Sequence, residues 1–176
     1  MRPQHVRSHH FPRAFCSMAL FSLVASTGGQ ELSVRDVKAR IEGVYVLQEW
    51  RRAGETFRPP LVDARSVLLD GRIVFVAHDH ARTGTKTTLV GYGTYSLEPG
   101  KFSYGYERWL TVTRDTNGTS VSDEIFAGPR EFAVKVERDG IRFKAIHGPY
   151  EFWFTQDGQS YSDGVDTRLY RRVVGQ

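Results

Sequence analysis

His78-Asp79-His80 places two imidazoles two residues apart. On a strand both would face the same way and could approach one metal, with His147 as a third ligand. No glutamate follows within a few residues: Thr83, Gly84 and Thr85 stand there. The pair therefore reads as two histidines at a loop edge, and no metal or other cofactor is expected. Arg108 carries more information. It interrupts a run of alternating residues, Phe102, Tyr104, Tyr106, Leu110 and Val112, that would share one strand face. Facing inward, it would be a buried cation in need of a carboxylate, a tyrosine cluster or an anionic ligand. Such an arginine could hold a ligand carboxylate by two parallel hydrogen bonds. A bulge would instead turn it outward, into a structural ion pair. His147, Tyr150 and Glu151 straddle the Gly148-Pro149 kink. A His–Glu acid–base pair is conceivable there, but no nucleophile or second spaced carboxylate accompanies it. The candidate ligand contacts are Arg108, Tyr95, Tyr104, Tyr106, His147 and Trp153. For any single aromatic, ordinary β-propensity and core filling is the readier explanation. Catalytic residues are unknown: no Gly-x-Ser-x-Gly, P-loop or dinucleotide fingerprint is present.

The element that must position most of these residues is Thr87–Asp115, two long strands folded back at Glu98-Pro99-Gly100-Lys101. The rest of the chain offers further strands. Gly43–Arg52 is one, and Gly54 breaks it. Phe57–Asp63, with Pro59-Pro60, reads as a loop across an open end. Ala64–Leu69 and Arg72–His80 flank an Asp70-Gly71 turn. Asn117-Gly118 leads into Thr119–Phe126. Glu131–Arg138 and Ile141–His147 flank an Asp139-Gly140 turn. Tyr150–Thr155 follows, then a polar loop over 156–164, then Val165–Val174. The one helical candidate is Gln30–Ile41, where Ser33 and Asp36 resemble a capping box. This pattern predicts an all-β domain over 30–176: a single antiparallel up-and-down barrel of eight to ten strands with a short N-terminal helix at one end.

Residues 1–29 differ in kind from the rest. Arg2, Arg7 and Arg13 precede an apolar run from Phe15 to Ala25, and small residues follow. That is the layout of a secretory signal peptide, too short to span a bilayer. A secreted or periplasmic protein is expected, with no transmembrane anchor after cleavage. Without Arg2, Arg7 and Arg13, 21 basic residues face 20 acidic ones. A nearly neutral chain lacks the electrostatic footprint of a nucleic-acid binder. The single cysteine, Cys16, lies in the apolar run, so the mature chain has no disulfide or thiolate chemistry.

Several of these features together resemble the lipocalin-like domain family, within the calycin group of small β-barrels. Gly43-Val44-Tyr45-Val46-Leu47 is similar to the family's Gly-x-Trp-x-Leu opening, with Tyr for Trp. Pro59-Pro60, Asp70-Gly71, Gly93-Thr94-Tyr95 and the closing Leu169-Tyr170-Arg171-Arg172-Val173 match further short motifs. The resemblance spans about Val34–Val174 and implies that Arg171 or Arg172 packs over Tyr45 as a cation–π contact. It also implies binding of a small, mainly apolar molecule. An isomerase or cyclase of the allene oxide cyclase kind, or a filled barrel acting through protein contacts, would use the same fold. Oligomeric state is left open.

Overall fold

The computed structural model describes residues 32–125 and 128–173; the expected signal segment lies outside them. A helix, α1 (Val34–Ile41), comes first. The Ser33 hydroxyl accepts the Asp36 amide at 3.2 Å, and the Asp36 carboxylate accepts the Ser33 amide at 3.3 Å, completing the capping box. Twelve strands follow: β1 (Gly43–Arg52), β2 (Glu55–Phe57), β3 (Val62–Leu69), β4 (Arg72–Asp79), β5 (Lys86–Glu98) and β6 (Lys101–Asp115). Then come β7 (Gly118–Glu124), β8 (Arg130–Glu137), β9 (Gly140–Ala145), β10 (Glu151–Phe154), β11 (Gly158–Ser162) and β12 (Thr167–Val173). Ten of them close an antiparallel ring in the order β1-β3-β4-β5-β6-β8-β9-β10-β11-β12, with β12 pairing back onto β1. The all-β barrel expected from the alternation is the barrel observed. Among the described residues, no helix is long and apolar enough to cross a membrane.

Two strands hang outside the ring. β2 pairs only with the end of β1, through Trp50–Arg52. β7 pairs only with the outer half of β6, through Trp109–Asp115. β6 therefore forks: Lys101–Tyr104 pair with β8 inside the ring, and the residues from Trp109 onward leave it. β5 follows β6 along its full length.

Three local expectations are corrected. The polar stretch 156–164 is not a loop throughout, because Gly158–Ser162 form β11. Its polar composition reflects what its inner face meets, as the site shows. Glu55–Phe57 adds a short strand after the Gly54 break, where the chain reverses at positive φ through Ala53 and Gly54. The β8–β9 turn is Arg138-Asp139, since Glu137 pairs with Gly140. Gly140 lies inside β9, where a Cβ would sit 2.8 Å from the Trp153 ring. Close packing, and not turn geometry, requires that glycine.

Half of the barrel interior is filled. Phe102, Phe132, Phe143 and Phe154 are buried there, with Phe102 and Phe143 centroids 4.7 Å apart. Burial of each such ring contributes about 1.5–3 kcal/mol. α1 closes this end. The Tyr45 hydroxyl donates to the Ile41 carbonyl at 2.7 Å, and the Tyr45 ring meets Phe154 edge-on. Arg172 donates to the carbonyls of Arg40 at 3.1 Å and Ala39 at 3.2 Å, and also to that of Glu42. The closing arginine thus caps the C-terminal turn of α1, while Arg171 is exposed.

Candidate functional site

The other end of the barrel is open among the described residues. A cavity of about 820 Å³ opens there. Phe152 is its floor, stacked on Phe154 and 5.5 Å from Phe132 in the filled half. One wall is aromatic: Phe75 of β4 and Trp109 of β6 lie parallel within 5°, centroids 5.7 Å apart, with Tyr106 beside Trp109. The opposite wall comes from β11 and β12. Gln159 pairs with Tyr170 and Tyr161 pairs with Arg168, so four polar side chains form one inward patch.

A bulge decides which β6 residues reach this space. Tyr92 of β5 pairs with Arg108, but Gly93 pairs with Tyr106, which leaves Glu107 as the extra residue. The face flips there. Tyr104 and Tyr106 point inward before the bulge and Trp109 after it. Arg108 falls on the outer surface, its side chain 51% accessible, in an ion pair with Asp123 of β7. Gly91 makes room for the turned indole, since a Cβ there would lie 2.6 Å from Trp109.

Among the described residues, the cations that reach the cavity are Arg130 and Arg168. Arg130 donates to the Tyr104 hydroxyl at 3.0 Å and the Tyr161 hydroxyl at 3.3 Å, and it covers the Tyr150 ring at 3.9 Å. Arg168 lies over Trp50 at 4.1 Å, with Tyr161 and Phe75 also within cation–π reach. Trp50 also meets Arg52 at 5.2 Å, and the two arginines contrast. Arg52 makes a two-pronged ion pair with Asp79, at 2.5 and 3.0 Å. Arg168 takes part in none of the ion pairs among the described residues. Asp166, two residues away, accepts the Trp50 indole N–H at 2.9 Å. The Arg168 Nε and the Gln159 Oε1 are buried without a hydrogen-bond partner.

Burial raises the pKa of Tyr104, Tyr106, Tyr161 and Tyr170. Tyr170 is pushed up to about 12, with Arg168 pulling the other way. Tyr104, Tyr106 and Tyr161 are raised too, again chiefly by desolvation. All four phenols are neutral at physiological pH and can donate hydrogen bonds.

Of the sequence candidates, the structure brings Tyr104 and Tyr106 together in the cavity. Tyr95 lies at the closed end, where its hydroxyl donates to the Glu42 carboxylate. Trp153 is on the outer face beneath Arg142, 4.6 Å from the ring. His147 is exposed in the β9–β10 connection, and the Glu151 carboxylate is engaged by Arg142. His78 meets the Thr88 hydroxyl at 3.1 Å, and Asp79 belongs to Arg52. Among the described residues no three His, Cys, Asp or Glu side chains cluster as metal ligands would. Sequence reasoning missed Gln159 and Tyr161, because their strand was read as a loop. It also passed over Arg168 and Tyr170, although alternation along Thr167–Val173 places both on one face.

Compared with protein families, curated proteins and solved structures, the chain returns no match. The closed antiparallel ten-strand barrel is consistent with a calycin-like fold.

Proposed function

We propose that this is an exported, lipocalin-like binding protein whose barrel holds a small, mainly apolar molecule with one anionic group. The observation that carries this reading is Arg168: a cation in the wall of a cavity, flanked by aromatic rings and without a carboxylate partner. A poorly solvated cation is costly unless an opposite charge approaches it. The ligand's anion supplies that charge, and Phe75, Trp109 and Phe152 receive its apolar body. The cavity volume lies within the ordinary range of small-molecule sites, roughly 300–1,000 Å³. The anion-binding role considered for Arg108 passes to Arg168. Secretion or periplasmic export belongs to the same proposal and rests on the composition of residues 1–29.

Native mass spectrometry of the mature protein, purified from the envelope fraction of its own host, tests this. An adduct of a few hundred daltons, lost on denaturation and weakened by Arg168→Met, supports the proposal. A bare polypeptide mass, with no thermal stabilisation by fatty acids, aromatic acids or neutral apolar compounds, overturns it.

A further inference from the structure

We infer that the ligand is a compact aromatic acid carrying a ring hydroxyl, and not an alkyl-chain acid. The inference rests on the binding reading above and narrows it through three features of the cavity. The first is depth. Phe152 floors the cavity, and Phe102, Phe132, Phe143 and Phe154 fill the barrel beneath it. A chain cannot extend past Phe152 into the packed half. The second is shape. Phe75 and Trp109 stack on one another and, with Tyr106, make this wall aromatic, which favours an aromatic body over an aliphatic one.

The third is hydrogen-bonding capacity. Gln159 lines the cavity, is only 5% exposed, and its Oε1 has no partner. An amide oxygen that is an acceptor only, and left unpaired under an apolar site, is met by a ligand donor. A carboxylate or alkyl chain brings none; a phenolic hydroxyl does. Gln159 and Arg168 sit in adjacent registered pairs of β11 and β12, so acceptor and cation share one patch of wall. One small molecule can present its acid to Arg168 and its hydroxyl to Gln159, the terminal amide turning to receive it. A site that hydrogen-bonds a substrate hydroxyl discriminates strongly against the analogue lacking it.

The test is a set of matched titrations on the mature protein, followed by tryptophan fluorescence and calorimetry. The probes are benzoate and its three monohydroxy isomers, cinnamate and 4-hydroxycinnamate, and dodecanoate. We expect at least one hydroxylated acid to bind about tenfold or more tighter than its parent. Gln159→Met, close in volume, should erase that ratio. Equal affinities for hydroxylated and parent acids, or tightest binding by dodecanoate, overturn the inference while sparing the anion-binding reading. A ratio that survives in the Met variant overturns it as well. If no acid binds, or if Arg168→Met changes nothing for any of them, the underlying reading itself fails. Should the Gln159 variant not fold, the ratios on the unaltered protein decide alone.

Discussion

Two arginines from one protein illustrate how little an arginine's identity says without its face. Arg108 and Arg168 both sit on alternating, aromatic-rich strands, but the extra residue Glu107 sends Arg108 to the surface and into an ion pair. Arg168 keeps its register and stays inside. Arg168→Met is therefore expected to weaken ligand binding by about tenfold to a hundredfold, the worth of a charge-assisted hydrogen bond. Arg108→Ala should leave affinity unchanged, and isothermal titration of both variants checks the contrast. The residues of the cavity were legible only in part. Tyr104 and Tyr106 were found because alternation holds up to the bulge. Gln159 was not, because a glutamine and two serines beside glycine carry no strand signal: β11 has few β-branched or apolar residues. Its inner face meets a cavity, so the usual apolar half of the pattern is missing for a physical reason.

Strands and helix carry their own expectations. The tight turns marked by Asp70-Gly71 and Pro99-Gly100 were read correctly because each needs a backbone conformation that glycine adopts freely, at φ 75° and 71°. The fork of β6 was not readable, since partner choice on either side of a bulge depends on strands distant in sequence. Gly91 tests the bulge's purpose. Gly91→Ala pushes a methyl group into the Trp109 ring, and the expected outcome is a loss of about 1–3 kcal/mol in stability with a shifted indole emission, read by urea unfolding followed by fluorescence. At α1, the capping box was legible because both partners lie within four residues. Ser33→Ala should cost about 0.5–2 kcal/mol by the same unfolding assay. The clamp by Arg172 on the helix carbonyls joins opposite ends of the domain sequence; the family resemblance singled out the closing arginines but pointed them at the Tyr45 ring.

Among the described residues, the whole barrel divides into a packed half and an open end, and the two should respond differently to change. Phe102→Ala empties the centre of the packed half and is expected to cost about 3–5 kcal/mol, measured by chemical denaturation. High pH probes the buried phenols. Unfolded tyrosines lose their protons near pH ~10, whereas Tyr45 and Tyr170 hold theirs to about 12 in the folded protein. Their folded pKa is raised, so the stability this contributes is full below pH ~10 and is lost as pH rises through about 12. The melting temperature should fall steeply over that window, and less steeply in Tyr170→Phe. The seam between β1 and β12 gives the ring a history as well as a shape. β3 and β4 are made soon after β1, but β1 meets its other neighbour only when Thr167–Val173 have been synthesised. Until then the growing chain shows an open strand edge, the kind of surface on which chains aggregate. Pairing between segments so far apart in sequence is also slow to form. Pairing of the seven-residue strand β12 with β1 closes that edge, and a chain that stalls before Thr167 keeps it open.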